Sequence, residues 1–123
     1  AVVENSLGYL VEVESADAVG NLQPDMAKLK SFPVHGVIVT SPGRAPYDFV
    51  SRFFAPGIGI DEDPVTGAAH CCLSPYWKKR TGKSDFLAYQ ASARGGVVKV
   101  RDEGDRVRLS GQAITVLRGE LLH

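Results

Sequence analysis

Residues 61–70 read Asp-Glu-Asp-Pro-Val-Thr-Gly-Ala-Ala-His, and this stretch predicts both the start of a central helix and a candidate site. Three carboxylates precede a proline, and small residues after Thr66 and Gly67 open an apolar segment. Backbone N–H groups at a helix start lack partners within the helix and carry partial positive charge, so they can bind an anion. We expect one acidic side chain to take up a proton while these N–H groups hold the charge that develops. An ordinary acidic cap on a core helix would use the same residues.

Asp63 is the candidate acid/base residue, because the proline after it biases its backbone toward an extended shape that leads away from the helix. The N–H groups of Thr66, Gly67 and Ala68 form the candidate substrate-binding cradle. Possible supporting roles fall to three further residues: Glu62, His70 and Arg52. A histidine one turn into a helix is more often packed and hydrogen-bonded than catalytic, and this interpretation is favoured for His70.

The composition excludes several classes of function. Lys and Arg total 14 and Asp and Glu total 14, so the net charge is zero and no basic stripe is present to follow a phosphate backbone. No apolar run approaches the roughly 18 residues that span a bilayer. The first residues, Ala-Val-Val-Glu-Asn, lack the pattern of a secretory signal. We therefore expect no nucleic-acid partner, no membrane insertion and a cytoplasmic location.

Two adjacent cysteines, Cys71 and Cys72, follow the acidic stretch. Neighbouring residues on a helix point about 100° apart, so a disulfide between them would be strained, and a reducing compartment is expected. His70 next to them adds a third potential zinc ligand. The spacing does not aim the three side chains at one point, so no metal site is predicted.

Periodicity and turn signals predict most of the secondary structure. We predict strands at residues 7–14, 34–40, 47–54, 86–90, 96–101, 106–110 and 113–121. Residues 15–21 read as a polar turn, residues 24–31 as a short helix and residues 57–61 as a linker. The strongest helix candidate covers residues 67–80 and ends at Thr81-Gly82. It is apolar on nearly every face, which predicts enclosure, and Pro75 within it predicts a kink or a restart.

The longer motifs resemble the phenazine-biosynthesis PhzF family of isomerases, relatives of diaminopimelate epimerase. The resemblance extends over almost the whole chain and rests on these segments: Arg52-Phe-Phe-Ala-Pro56, Glu62-Asp-Pro-Val-Thr-Gly-Ala-Ala-His70, Leu73-Ser-Pro-Tyr-Trp77, Gln90-Ala-Ser-Ala-Arg-Gly-Gly96 and Gly111-Gln-Ala-Ile-Thr-Val-Leu-Arg-Gly119. Its implied fold is α+β: a curled, mostly antiparallel, barrel-like sheet around one central helix at about residues 67–81. Residues 1–123 would form a single domain that matches the C-terminal half of a two-domain protein.

The resemblance also implies a function. Family members bind substrate in a cleft between two similar halves, and each half supplies an acid/base group. Asp63 matches the base of the second half, whereas the base of the first half lies in a segment that this chain lacks. Ala68 stands where the family most often has Ser, which removes one donor near the helix start.

We therefore expect the chain to be part of an isomerase or epimerase that needs no cofactor or metal. This enzyme would act on a small carboxylate-bearing metabolite. A complementary N-terminal half, or a second copy of the chain, would complete its site. The alternatives are an inactive half-domain that serves as an interaction or dimerisation module, and a fragment of a complete enzyme.

Overall fold

A computed structural model describes residues 1–123 as an α+β fold with eight strands and three α-helices. The strands are β1 (Val2–Asn5), β2 (Gly8–Glu12), β3 (Gly36–Pro42), β4 (Phe49–Ala55), β5 (Ile60–Asp63), β6 (Asp85–Gln90), β7 (Gly96–Asp102) and β8 (Val107–Ser110). The helices are α1 (Ala16–Asn21), α2 (Met26–Lys30) and α3 (Gly67–Thr81), and a 3₁₀ turn covers Pro56–Ile58.

All eight strands belong to one mixed sheet, in the order β1-β2-β3-β4-β6-β7-β8 with β5 paired to β4 beside this path. The β2–β3 and β4–β6 pairs are parallel and the other pairs are antiparallel. The predicted α+β class with a mostly antiparallel sheet is confirmed. The sheet does not close into a barrel, because β1 and β8 remain as its two edges.

The central strands β3 and β4 are buried on both faces of the sheet. Successive residues of a strand point to opposite sides, so Ile38 and Phe53 join the cluster around α3 whereas Val39 and Phe54 join a second cluster beneath α1 and α2. This two-sided burial explains why nearly every residue along β3 and β4 is buried, instead of every second one.

Helix α3 begins and ends where its sequence predicts. Thr66 is the N-cap. Gly82 ends the helix in the left-handed conformation (φ 77°), and its N–H donates a hydrogen bond to the carbonyl oxygen of Lys78 at 2.8 Å. The helix continues through Pro75. Trp77 anchors it to the sheet: the indole stacks on Phe49 with the ring centroids 5.8 Å apart. Truncating such a buried tryptophan typically costs about 3–5 kcal/mol. None of the helices has the length and apolar character that crossing a membrane requires.

Several predictions about individual segments are wrong. Residues 15–21 contain a helix, α1, whose N-cap Ser15 accepts a hydrogen bond from the N–H of Ala18 at 3.1 Å. Residues 113–121 form no strand. Helix α3 is not enclosed on every face, because Ala68, Cys71 and Pro75 are exposed along one side. The last two differences share a cause: the sheet is open, and nothing in this chain covers that side of the helix or pairs with residues 113–121.

Candidate active site

Asp63 is the last residue of β5, and its position follows from the hairpin that joins β4 to β5. Gly59 turns the chain in the left-handed conformation (φ 89°). The returning strand then pairs Asp63 with Phe53. Pro64 has no backbone N–H, so it ends the pairing and directs the chain toward α3. Asp63 therefore lies on a strand end and not, as the sequence indicated, after a linker.

Alternation along β5 separates Asp63 from its neighbour Glu62, since the two side chains leave opposite faces of the strand. Glu62 accepts two hydrogen bonds from Arg52, from Nε at 2.9 Å and from Nη2 at 2.7 Å. This pairing raises the pKa of the Arg52 guanidinium. Arg52 Nη1 also donates to the carbonyl oxygens of Val19 and Leu22, at the end of α1. The structure thus places Arg52 and Glu62 in an ion pair that joins α1 to β5, and not with Asp63.

The Asp63 carboxylate is held by Thr66, whose hydroxyl donates to Oδ2 at 2.6 Å. Thr66 is in turn held by Gln90 of β6, which is fully buried. The Gln90 carbonyl oxygen accepts the Thr66 N–H at 2.7 Å. The Gln90 amide nitrogen donates to Thr66 Oγ1 at 3.0 Å and to the Asp63 carbonyl oxygen at 2.8 Å. One buried amide thus satisfies three polar groups of the Asp63–Thr66 turn.

The start of α3 is open to solvent beside this turn. Gly67 and Ala68 are exposed, and their N–H groups find no acceptor within the chain. The Thr66 N–H is engaged by Gln90. Of the three N–H groups that the sequence suggested, those of Gly67 and Ala68 therefore remain free for an anion, and the N–H of Ala69 also has no acceptor within the chain. Ala68 contributes no side-chain donor.

His70 lies in the core beneath the turn and is fully buried. Its Nδ1 lies 2.7 Å from the Thr66 carbonyl oxygen, which can only accept, so Nδ1 carries the proton. Burial lowers the pKa of His70, which keeps the ring neutral. Its other ring nitrogen, Nε2, has no partner within the chain. The geometry matches the packed, hydrogen-bonded interpretation of this residue.

The two cysteines sit on a different side of α3 from His70. Cys71 is exposed and Cys72 is half-buried, with its Sγ 4.0 Å from Ser6 Oγ. Burial raises the pKa of the Cys72 thiol. The three side chains of this segment do not converge on one point.

The loop after β6 is hydrogen-bonded to the Asp63–Thr66 turn. Ser92 Oγ donates to the Pro64 carbonyl oxygen at 2.8 Å and accepts the Gly95 N–H at 3.0 Å. Arg94 is exposed at the tip of this loop. Sequence reasoning gave no role to Gln90 or Ser92, although the segment Gln90-Ala-Ser-Ala-Arg-Gly-Gly96 was the signal that could have pointed to them.

Comparison with known proteins identifies one family. The sequence model of the PhzC/PhzF family, described as phenazine biosynthesis-like protein, matches residues 5–119. An uncharacterized isomerase of Halalkalibacterium halodurans is 51% identical over 122 residues, which cover 98% of this chain and 46% of that protein. An uncharacterized isomerase of Pseudomonas aeruginosa is 53% identical over 112 residues, 91% of this chain and 42% of that protein.

Solved structures agree with the sequence comparison. A putative phenazine biosynthesis PhzC/PhzF protein from Clostridium difficile superposes with a TM-score of 0.81 at 35% identity, covering 94% of this chain and 44% of that one. A PhzF-family protein of Enterococcus faecalis gives 0.77 at 38% identity, with 87% and 44% covered. The chain belongs to the PhzC/PhzF phenazine biosynthesis-like family. It spans less than half the length of the curated relatives it matches.

Proposed function

We propose that this chain supplies one half of the active site of a cofactor-independent isomerase, which moves a proton at a carbon atom beside a substrate carboxylate. The observation that carries the proposal is the pairing of Asp63 with the open start of α3. Thr66 donates to one oxygen of Asp63, and exposed N–H groups lie on the next two residues. The relatives' designation as isomerases supports the reaction class.

The proposed chemistry needs only proton transfer. Asp63 removes the proton from carbon, and the electron pair of the broken C–H bond moves onto the substrate carboxylate. The N–H groups of Gly67 and Ala68 stabilise the negative charge that develops there. An acid on the opposite face of the substrate then donates a proton to carbon. This chain offers one such acid/base group, so the second belongs to another half.

Two unpartnered surfaces support a second half as the partner. A groove of about 460 Å³ opens between β1 and α3, lined by Val3, Leu10, Cys72, Pro75 and other residues. Residues 111–123 form no helix or strand, and their large apolar side chains are 86–96% exposed: Ile114, Val116, Leu117, Leu121 and Leu122. Exposed apolar surface of this extent is typical of an interface. The relatives extend well beyond the matched length, so a complementary N-terminal half is the occupant we propose.

The test is solvent deuterium exchange. The chain is incubated in D₂O with a panel of small carboxylic acids that carry a C–H bond next to the carboxylate, alone and with the separately produced first half of the Halalkalibacterium relative. We expect deuterium uptake into one panel member only with both halves present. Asp63→Asn should abolish the uptake, whereas the exposed neighbour Asp61→Asn serves as matched control and should retain it. Uptake that survives Asp63→Asn would refute the role of Asp63.

The exposed apolar residues of 111–123 favour one second candidate, a dimerisation module. A homodimer formed through this segment would bury the same side chains without any chemistry. Native mass spectrometry of the chain, and of a variant that ends at residue 110, separates the two possibilities. The module would be supported by a stable homodimer that does not bind the added first half and that the shortened variant cannot form. A 1:1 complex with the first half would support the isomerase.

A further inference from the structure

We infer that Gln90 is a positioning residue that selects which oxygen of Asp63 accepts the substrate proton; this inference rests on the proposed function. Gln90 is fully buried in β6 and has no hydrogen bond to the N–H groups of Gly67 or Ala68. It acts through Thr66, which it holds from two sides.

The orientation of the Gln90 amide is fixed by its partners. The Thr66 N–H can only donate and the Asp63 carbonyl oxygen can only accept, so the amide oxygen must face the former and the amide nitrogen the latter. A flipped amide would set donor against donor and acceptor against acceptor. Because the hydrogen bond to the Thr66 N–H is buried, that N–H could not turn to water instead.

The fixed amide sets the direction of the Thr66 hydroxyl. The Gln90 amide nitrogen donates to Thr66 Oγ1 at 3.0 Å, so that oxygen acts as acceptor toward Gln90. The single hydroxyl proton is then directed to Asp63 Oδ2, 2.6 Å away. Oδ2 is thereby occupied by a hydrogen bond, and Oδ1 is the oxygen left to receive a proton from carbon.

The same contacts fix the position of the Asp63 carboxylate relative to the start of α3. Gln90 bonds to the backbone at both ends of the Asp63–Thr66 turn, through the Asp63 carbonyl oxygen and the Thr66 N–H. This fixes the carboxylate relative to the start of α3, where the free N–H groups lie. A misplacement of about 1 Å between catalytic groups can cost about 100-fold in rate. Loss of Gln90 should therefore lower kcat and have little effect on KM.

The experiment compares Gln90→Met, which keeps the length of the side chain, with the exposed glutamine variant Gln23→Met as matched control. Thr66→Val and Thr66→Ser form the second pair, because only serine retains the hydroxyl. Each variant is first checked for folding by its thermal transition. Deuterium-exchange kinetics are then measured in the two-half assembly. In the isotopically labelled 123-residue chain, NMR records the Asp63 carboxyl carbon shift and the scalar coupling across the hydrogen bond from the Thr66 N–H to the Gln90 side-chain carbonyl.

We expect Gln90→Met and Thr66→Val to lower kcat about 10- to 100-fold with KM within about threefold, and Thr66→Ser to restore most of kcat. Both damaging variants should move the Asp63 carboxyl resonance in the same direction, and the coupling should be present only when Gln90 is intact. Unchanged kcat in folded Gln90→Met, or an unmoved Asp63 resonance, would overturn the inference while leaving the proposed function in place. If the unaltered protein exchanges no deuterium with any panel member, the proposed function fails, and the catalytic part of this inference fails with it.

Discussion

Replacing Arg52 by methionine should destabilise the fold without altering the chemistry at Asp63. The guanidinium makes two hydrogen bonds to Glu62, at 2.9 and 2.7 Å. A third nitrogen donates to the carbonyl oxygens of Val19 and Leu22, at 3.1 and 2.7 Å. The side chains of the ion pair are only 12% and 20% exposed. Methionine would leave a largely buried carboxylate without its counter-charge and the end of α1 without its donors.

The magnitude follows from these contacts. Removing one partner of a buried ion pair costs about 3–5 kcal/mol. The Glu62 side chain is 20% exposed, so its carboxylate can regain some hydration. We therefore expect the free energy of unfolding to fall by about 2–4 kcal/mol. At about 4 °C for each kcal/mol in a chain of this size, the Tm should fall by about 8–16 °C. The double variant Arg52→Met/Glu62→Met removes the stranded charge, so it should be more stable than Arg52→Met alone.

Urea denaturation followed by circular dichroism measures all four members of this cycle, and the slope m should stay constant among them. Deuterium exchange at a temperature where every variant is folded then tests the chemistry. Additive effects of Arg52→Met and Glu62→Met would show that the pair contributes no coupling. A folded Arg52→Met variant with normal stability and a large loss of kcat would place Arg52 in the reaction and refute the structural role.

The Ala68→Ser variant should bind a small carboxylate about 2- to 10-fold more tightly by calorimetry, because one added hydrogen bond contributes about 0.5–1.5 kcal/mol; unchanged affinity would contradict this. Burial lowers the pKa of His70, so below about pH 6.5 the unfolded chain binds a proton that the folded chain does not, and stability falls as the pH is lowered, by at most about 1.4 kcal/mol per pH unit. His70→Gln should remove this slope in urea midpoints between pH 7 and pH 5, and a persistent slope would assign it to other groups. Burial, together with the neighbouring Glu12 carboxylate, raises the pKa of Tyr76 to about 12; Glu12→Gln should bring it back toward 10 in a tyrosinate absorbance titration, and no change would refute that coupling.

The parts of the fold that the sequence predicts are those encoded by local signals. Helix α3 has a cap residue, Thr66, at its start and a glycine, Gly82, at its end, so both bounds were predictable. The hairpin between β7 and β8 follows from the acidic, glycine-containing turn at residues 102–105. Asp63 and the open helix start were identifiable for the same reason, since the whole motif lies within ten consecutive residues.

The errors concern segments whose structure depends on distant residues. Helix α1 is short and polar, and it is stabilised by Val19 beneath the sheet and by Arg52 at its end, 33 residues away. Residues 113–121 carry a strand pattern, but a strand also needs a neighbour, and this chain offers none at that point. Gln90 reaches the site from 24 residues beyond Thr66, so only the pairing of β4 with β6 reveals its contact.

The contact of Gln90 with Thr66 also bears on how much of the proposed site this chain can supply. An ionised carboxylate offers about four acceptor positions. With the Thr66 N–H engaged, the start of α3 provides the N–H groups of Gly67, Ala68 and Ala69, and position 68 adds no hydroxyl. Three donors cannot fill all of the roughly four acceptor positions of a substrate carboxylate, and the charge that develops during proton transfer increases the need for the rest. In the proposed reaction the missing donors, like the second acid/base group, must therefore come from the half that closes over this face.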